Sequence, residues 1–445
     1  MPLSRSLKIA CFSLATTLSS TSLANETSSQ QILLSYANIA SDAYTATLAD
    51  ATSLQSAINR FANAPSAQHF SQAKAAWLTS RESYGLTEIF RLSGGPIDAE
   101  DGWVATAYGA PEGQLNAWPL DENMIDYTIN DEGKRTSGNI IDTAGQFNPG
   151  GEDATAIDVS KITVTALASL NENGGDANVA SGYHAIEFLL WGQDQDYANF
   201  TADTVTPGPL TAGQRPLTDF TSDTFASRRL EYLQAASTLL VSDIQTIASA
   251  WQKQASNDCT QDPTGCYRAA LLSQLKGKDA DKNIPAADAL KNIIMGMGVF
   301  IKSELANERI AVAVLTPSEE DEHSCFSDNT HRDITLNYQG FVNILHAKYQ
   351  GKHYGKSLFS ISDKATQNTL SSLITSIDAK VSNMNQLAKT TWHFDHQILA
   401  KNNAKEIKAM KNEMRKLGDV MVMVAKAVDL SLTKGDVTDA DETKF

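Results

Sequence analysis

Apolar residues recur every three or four positions through most of this chain, the spacing that places them on one face of an α-helix. The pattern predicts a long helix over about 29–64, ended by Pro65, and a second over about 66–92. Further amphipathic helices are predicted over 219–256, 287–314, 379–400 and 404–430. Clean two-residue alternation is rare, so strands are not expected. The predicted fold class is therefore all-α.

The length of the chain bears on its domain organisation. A chain of 445 residues is too long for one compact core and indicates two domains or a duplicated architecture. About four helices per half suggest two helical bundles in tandem, over 25–205 and 206–445, joined through the stretch 193–218. The segment 307–331 ends a helix and continues into a polar turn. The Gly94 turn occupies the corresponding position in the first half. This partial echo suggests an internal duplication.

The first 24 residues have the features of an export signal. Arg5 and Lys8 flank the start, residues 9–18 are mostly apolar, and Ala24 ends a small-residue cleavage site. No later run approaches the ~20 apolar residues of a membrane helix. We therefore expect a signal peptide over 1–24 and a mature protein in the periplasm.

The balance of charge narrows the class of partner. The chain has 36 Lys+Arg against 52 Asp+Glu, a formal net charge of −16. An acidic protein is a poor partner for the phosphate backbone, so nucleic acid is not expected. An acidic surface attracts cations but identifies no site.

The cysteines indicate one disulfide and leave one residue over. Cys259 and Cys266 flank a Pro/Gly/Asp loop and are predicted to pair in an oxidising compartment. Cys325 stands near His323 and His331, either as a soft metal cluster or as hydrogen-bonded structural residues.

A stripe of polar and aromatic residues follows the second predicted helix. Its members recur at spacings of four, three, four and three, and so share one arc: Trp77, Arg81, Tyr84, Glu88 and Arg91. A solvated outer face is one interpretation. A solvated face rarely contains a Trp and a Tyr between two Arg and a Glu, so the wall of a polar pocket is the other.

The most informative stretch is 182–194, where His184 and Glu187 lie one turn apart in an apolar segment. Burying this pair is costly unless each group has a partner, which would be a metal, a basic residue or a hydrogen-bond network. Metal ligation, a structural pair and catalysis all remain open. A helical zinc protease of the inverted type would need a second His at Phe188, so its ligand set is incomplete.

The longer motifs resemble a known family. The segment from Gly182 through His184 and Glu187 to Gly192 is similar to the imelysin signature. Resemblance to its iron-regulated protein A branch is carried by Gly95-Pro96-Ile97-Asp98, by Asn116 with Trp118-Pro119, and by 321–331. The resemblance implies a periplasmic or outer-membrane-associated protein of two helical bundles, linked to bacterial iron uptake. It also implies kinship with proteins classed as metallopeptidases.

Together these observations predict an exported protein that holds iron, or a small iron chelate, in a polar pocket. The expected metal ligands are His184, Glu187, Glu88 and Asp98. The expected ligand-binding residues are Arg81 and Arg91 as a balance for carboxylates or a clamp on an anion, Asp121 as a further oxygen donor, and Tyr84, Trp77 and Trp118 as walls.

Two other functions remain open, and so do the metal and the partner. One is a metal-dependent peptidase that takes a third ligand from His323 or His331; the other is an interaction module without metal. Zinc is the alternative to iron. An outer-membrane or iron-transport protein is the expected macromolecular partner.

Overall fold

The helical periodicity of the sequence is realised in a computed structural model that describes residues 13–130, 132–194, 212–315, 321–399, 401–440 and 442. For residues 13–27 only the backbone is described. The α-helices are α1 Ser13–Asn63, α2 Ala67–Gly85, α3 Gly102–Tyr108, α4 Glu112–Asn116, α5 Glu122–Ile125, α6 Val164–Leu170, α7 Gly182–Trp191, α8 Ala226–Ala250, α9 Cys266–Leu271, α10 Ala286–Val299, α11 Val312–Leu315, α12 Thr330–His346, α13 Leu358–Ile361, α14 Lys364–Thr390, α15 Phe394–Gln397 and α16 Ala404–Lys426.

Elements other than α-helix are short in the described ranges. Two antiparallel hairpins pair β1 Gln146–Phe147 with β2 Ile157–Asp158 and β3 Lys348–Tyr349 with β4 Lys352–His353. Short 3₁₀ turns are Glu88–Phe90, Leu217–Phe220, Gly277–Lys282 and Gly435–Val437, and a π-helical segment spans Phe300–Ala311. The all-α prediction is confirmed.

The long first helix organises the N-terminal part of the fold. α1 packs against α2 and α8, and one face of it is buried through residues such as Leu33, Leu54 and Phe61. Pro65 separates α1 from α2, and the Ser66 side chain accepts a hydrogen bond from the His69 amide at 3.2 Å to cap α2. This places the start of α2 close to the predicted position.

The end of α2 differs from the prediction. The periodicity predicts a helix to residue 92, whereas α2 ends at Gly85 and is followed by the Glu88–Phe90 turn. Gly85 faces α12 so closely that an added Cβ would lie 2.9 Å from Leu336 Cβ. Arg81 and Glu88 pair with different opposite charges, Asp333 and Arg309, and share the Asn116 amide.

The C-terminal part packs α10, the π segment, α14 and α16 against one another, and α12 contacts both the π segment and α2. A π-helix adds one residue per turn and often occurs at functional sites. Here the segment carries Glu304, Glu308 and Arg309 toward the N-terminal helices. Its close packing on α16 requires Gly418, where an added Cβ would lie 2.7 Å from Lys302 Cβ.

The two sequence halves share one hydrophobic core. The main cluster of buried side chains runs from Ile32 in α1 to Val437 near the C-terminus. The predicted boundary at 205/206 lies in 195–211, outside the described residues, and the division into two domains stays a prediction. So does the internal duplication.

The long irregular region after α3 is ordered by one arginine. The Arg228 guanidinium on α8 donates to the carbonyl groups of Ile141 at 2.6 Å, Thr143 at 2.7 Å, Val159 at 2.8 Å and Ile140 at 2.9 Å. Several backbone acceptors on a single planar cation tie the loop to the bundle.

The predicted signal peptide and the predicted disulfide both concern export. Residues 1–12 of the predicted signal peptide lie outside the described residues, and its remainder is described only as helical backbone. Within the ranges given above, no helix is both long and apolar enough to cross a membrane. Cys259 and Cys266 form a disulfide with Cα atoms 5.8 Å apart, and Cys325 is buried.

Gly182, the first residue of α7, has a conformation that other residues rarely adopt. Its φ is +82°, and an added Cβ would lie 2.5 Å from the Leu115 carbonyl oxygen in α4. Gly182→Ala is therefore expected to lower the free energy of unfolding by about 2–4 kcal/mol, through backbone strain and overpacking. Urea denaturation measures this loss. Gly175→Ala is the matched control, since the nearest atom to its added Cβ is at 4.0 Å; equal stability of the two variants would contradict the packing argument.

Asp243 on α8 gives the fold a pH dependence. Burial raises its pKa to about 7, and its Oδ2 has no hydrogen-bond partner among the described residues. Because the folded state holds this proton more tightly than the unfolded state, the contribution to stability is full below about pH 4 and is lost between about pH 4 and 7. We expect Asp243→Asn to be more stable than wild type at pH 8 by about 1–2 kcal/mol, a value discounted for partial exposure.

Thermal unfolding of the two proteins from pH 4 to 8 measures this difference. The exposed Asp288→Asn on α10 serves as the control substitution. Parallel stability curves for wild type and Asp243→Asn would rule out the assigned cause.

Candidate functional site

The helix that carries the sequence motif is entirely buried. Every residue of α7 is buried, including His184 and Glu187, whose exposed fractions are 0%. α7 lies against α2, α4 and α8. Its apolar residues account for this burial, so the two polar side chains are carried into the core by their neighbours and need partners there.

His184 and Glu187 contact each other directly. The His184 Nδ1 atom lies 3.0 Å from Glu187 Oε2. The other carboxylate oxygen, Oε1, accepts hydrogen bonds from the Ser327 amide at 3.0 Å and the Ser327 hydroxyl at 2.6 Å. Glu187 therefore orients the imidazole and is itself held from the far side of the site.

The protonation of this pair follows from its burial. Burial raises the pKa of Glu187 to about 8, although the Ser327 hydroxyl opposes the shift. Burial, with the Arg81 and Arg309 guanidinium groups, lowers the pKa of His184 well below its usual value. The contact is consequently a hydrogen bond that involves a neutral imidazole rather than an ion pair.

The other imidazole nitrogen has no partner among the described residues. His184 Nε2 is buried and makes no hydrogen bond there. The His184 ring packs on His323, with centroids 4.7 Å apart, and on Trp118, with centroids 4.9 Å apart. In the tautomer whose Nδ1–H donates to the ionised Glu187 carboxylate, Nε2 keeps its lone pair, which is the arrangement of metal-bound histidines; a bound cation favours this ionised form of Glu187.

His323 is the second imidazole of the site. It is 5% exposed, and burial together with Arg309 and His184 lowers its pKa well below the usual value. Its Nε2 lies 3.4 Å from the Asn116 side-chain nitrogen. Two neutral imidazoles from distant parts of the chain thus meet beside Trp118.

A buried network of charges surrounds the imidazoles. Arg81 Nη2 lies 2.8 Å from Asp333 Oδ1, and both side chains are 0% exposed. Arg81 Nη1 also donates to Asn116 Oδ1 at 2.5 Å. The Ser324 hydroxyl donates to the other Asp333 oxygen. Arg81 is therefore fully occupied by an opposite charge and an amide.

Glu88 is neutralised from the C-terminal part of the chain. Its Oε2 lies 2.6 Å from Arg309 Nη2, and it accepts bonds from Asn337 at 3.0 Å and Asn116 at 3.2 Å. Burial alone would raise the pKa of Glu88, but the Arg309 and Arg81 guanidinium groups lower it below the usual value. Glu88 is therefore an anion enclosed by hydrogen-bond donors.

Arg91 completes the network at its outer side. Its Nη1 lies 2.8 Å from Glu304 Oε1, and its Nε lies 3.3 Å from Glu112 Oε1. Arg309 contacts the same Glu304 oxygen at 2.8 Å. Against the effect of burial, Arg91 and Arg309 lower the pKa of Glu304 to about 2.

A cavity of about 300 Å³ opens from this network. Its inner wall includes His323, Trp118 and Asn116. Charged residues supply most of the remainder: Arg91, Glu112, Glu172, Asp176, Glu304, Glu308, Arg309 and Asp321. The His184 ring packs against the Trp118 and His323 rings of this wall and is not itself among the lining residues.

The structure brings some predicted site residues together and separates others. Arg81, Glu88, Arg91 and Trp118 join the network or cavity around the His184–Glu187 pair. Trp77 donates to the Tyr183 carbonyl at 2.9 Å and is packed inside the core.

Of the three remaining predicted residues, Tyr84 contacts the network, since the Arg81 guanidinium lies 5.5 Å from its ring centroid. Tyr84 is buried against the Tyr183 ring at 4.8 Å. Asp98 accepts from the Leu92 amide at 2.7 Å, and burial raises its pKa to about 6. Asp121 is exposed and caps α5 through the Asn123 amide at 3.0 Å. None of the three is among the residues that line the cavity.

Several residues of the site were not recognised from the sequence. Arg309 and Glu304 lie in the π segment, and Asp333 and Asn337 lie in α12. Their i, i+4 and i, i+5 spacing gives a weak signal, since polar residues on amphipathic helices are usually solvated. For His323 the sequence allows a soft-metal ligand, a hydrogen-bonded structural residue or a distant third ligand, and it does not indicate the contact with His184.

The arrangement is not a complete metal cage. Across 13–130, 132–194, 212–315, 321–399, 401–440 and 442, no group of three or more His, Cys, Asp or Glu side chains is spaced to hold a metal ion. The donors present are the His184 nitrogen, His323 and the carboxylates of the cavity.

Comparison with known proteins adds three findings. A family model described as imelysin matches residues 40–421. The chain is 25% identical over 301 residues to iron-regulated protein A of Synechococcus elongatus (strain ATCC 33912 / PCC 7942 / FACHB-805), covering 68% of this chain and 59% of that protein. The chain thus aligns with less than two thirds of that relative.

A solved structure shares the fold. It is a crystal structure from Parabacteroides distasonis ATCC 8503, described as an iron-regulated protein A precursor, with a TM-score of 0.60 and 16% identity. The match covers 90% of this chain and 95% of that chain.

The Arg81–Asp333 pair should stabilise the network strongly. Removing one partner leaves the other charge buried, so Arg81→Met is expected to cost about 3–5 kcal/mol in urea denaturation. The double variant Arg81→Met/Asp333→Leu should be less destabilised than the sum of the single changes.

Lys134→Met, at an exposed ion pair with Glu132 at 2.7 Å, is the control and should be nearly neutral. If the loss of stability in the Arg81→Met/Asp333→Leu double variant equalled the sum of the two single losses, the two side chains would not be coupled.

Proposed function

The chain belongs to the imelysin family, and from this premise we propose that it is a binding protein of bacterial iron uptake. The family and its iron-regulated relative support an iron-related function. The proposed site is the cavity whose inner wall is His323 and Trp118, with His184 behind it. The proposed cargo is iron, as an ion or a small chelate.

The observation that carries the proposal is the orientation of His184. Glu187 holds Nδ1 at 3.0 Å and leaves Nε2 buried without a partner in the described part of the chain. An unsatisfied buried nitrogen is costly, and coordination to a metal removes this cost. Imidazole and carboxylate donors suit iron better than they suit a soft metal, while zinc remains chemically acceptable.

This geometry assigns Glu187 a role that differs from simple ligation. Both of its oxygens are engaged, by His184 and by Ser327. It therefore acts as a positioning residue for His184, which is the proposed coordinating group. His323 can coordinate once its Nε2 is released from Asn116, and cavity carboxylates, water or a chelate fill the remaining positions. Asp98 and Asp121 are not needed for this assignment.

The peptidase alternative finds less support in the geometry. A metal-dependent peptidase needs a carboxylate poised to activate the metal-bound water. Glu187 is the carboxylate in contact with His184, and both of its oxygens are already engaged. Oε2 contacts His184 Nδ1, and Oε1 accepts hydrogen bonds from the Ser327 amide and hydroxyl. A peptide-cleavage assay accordingly accompanies the binding test below.

Location in the periplasm, with an outer-membrane or iron-transport partner, is part of the same proposal. The signal-like residues 1–24 and the Cys259–Cys266 disulfide fit an exported protein. The proposed partner is the protein that supplies the metal to this one or accepts the metal from it.

Metal titration tests the function. Mature protein purified without chelators is titrated with Fe²⁺, Fe³⁺ and Zn²⁺ and assayed for peptide cleavage. We expect saturable iron binding and no cleavage. His184→Ala should abolish the saturable binding, and Glu187→Gln should weaken it about 10–100-fold, the usual effect of removing a group that orients a ligand.

The exposed His353→Ala is the matched control and should bind as wild type does. Circular dichroism establishes that each variant is folded. Equal affinity of wild type and His184→Ala would overturn the proposed site, and metal-dependent cleavage lost in His184→Ala would favour the peptidase.

A further inference from the structure

The carboxylates of the cavity fall into two groups. Glu112 and Glu304 face arginines, as described above. The others are Glu172, Asp176, Glu308 and Asp321, and none of them has a Lys, Arg or His nitrogen within 4.0 Å among the described residues. The mouth of the cavity therefore carries negative charge that the described side chains do not neutralise.

The cavity arginines are already neutralised. Arg309 contacts Glu88 at 2.6 Å and Glu304 at 2.8 Å, and Arg91 contacts Glu304 at 2.8 Å and Glu112 at 3.3 Å. Arg81, with Asp333 at 2.8 Å, does not line the cavity. A clamp by Arg81 and Arg91 on an anion, expected from the sequence, would require these pairs to break.

Two unpartnered buried atoms point to a ligand at this place. Arg309 Nε belongs to a residue that is 4% exposed and lines the cavity, and His184 Nε2 belongs to a ring that packs against Trp118 and His323 of the cavity wall. The imidazole nitrogen can bind a metal. The Arg309 N–H requires an oxygen acceptor, which an oxygen-donating chelate supplies.

We infer that the cargo is a positively charged iron complex with oxygen donors, rather than an anionic chelate. This inference rests on the proposed function. Four unneutralised carboxylates attract such a complex and repel an anion of comparable size. The volume of about 300 Å³ admits a small complex or part of a larger one.

The charges near the mouth reinforce each other. Burial and the neighbouring Glu112 and Asp176 raise the pKa of Glu172 above its usual value. Burial raises the pKa of Glu308, and the nearby charge of Glu304 raises it further, whereas the hydrogen bond from Asn307 lowers it. A bound cation relieves this repulsion, whereas an anion adds to it.

Isothermal titration with chelates of opposite charge tests the inference. Wild type is titrated with a cationic trishydroxamate complex of Fe³⁺ and with the anionic Fe³⁺–citrate complex, at low and at physiological ionic strength. We expect the cationic complex to bind at least 10-fold more tightly, with an affinity that falls as salt rises.

The triple variant Asp176→Asn/Glu308→Gln/Asp321→Asn should lose about 10–100-fold in affinity for the cationic complex. The control Asp281→Asn/Asp288→Asn/Glu406→Gln removes the same charge from exposed positions outside the cavity and should leave affinity unchanged. An equal loss in both triple variants would overturn the assignment to this cavity.

Two further outcomes separate the inference from the function on which it rests. If wild type prefers the citrate complex and His184→Ala loses it, the charge inference is overturned and the iron-binding function stands. If wild type binds neither complex nor the free metal ions, both the function and the inference fail.

Discussion

The fold depends on the compensation of charges buried at the meeting point of its N-terminal and C-terminal helices. Arg81, Glu88, Arg309 and Asp333 are each no more than 4% exposed. A lone buried ion is strongly destabilising, so these side chains require one another. Arg81 in α2 and Glu88 in the turn after it come from the first part of the chain, and their charged partners Asp333 and Arg309 come from the second. Packing against α12 and the π segment therefore compensates the charges on this side.

The same network determines the chemical state of His184. Two nearby guanidinium groups and complete burial keep the imidazole neutral, and Glu187 and Ser327 fix its orientation. A neutral, oriented imidazole retains a lone pair for coordination, whereas a protonated one does not. Charges that stabilise the fold thus also prepare the proposed ligand, without touching it.

The sequence predicts a feature well when residues close together in the chain determine it, and poorly when a tertiary contact determines it. The long first helix, the break at Pro65 and the buried pair of His184 and Glu187 follow from periodicity and spacing within a few residues. The helix predicted over 379–400 was wrong, since α14 spans Lys364–Thr390, and α12 was not predicted. The end of α2 at Gly85 was not predicted either, because it is set by close packing on Leu336, far away in the chain. Asp333 and Arg309 were missed for the same reason: on their own helices they resemble solvated residues, and only the tertiary contact with Arg81 and Glu88 makes them internal.

The site can be understood as an inner and an outer layer with different electrostatics. In the outer layer, exposed or partly exposed carboxylates act on an approaching cation over distances up to about the Debye length, ~8 Å at physiological ionic strength. In the inner layer, His323 and His184 are neutral, so they offer donor atoms without further charge. A metal complex drawn in by the first layer must exchange water or chelate oxygens for nitrogen to reach the second. Because the paired arginines lie between the layers and are locked by Glu88 and Glu304, they do not repel the cation as free guanidinium groups would. The pairing that allows these arginines to be buried is therefore also what makes a cation acceptable beside them.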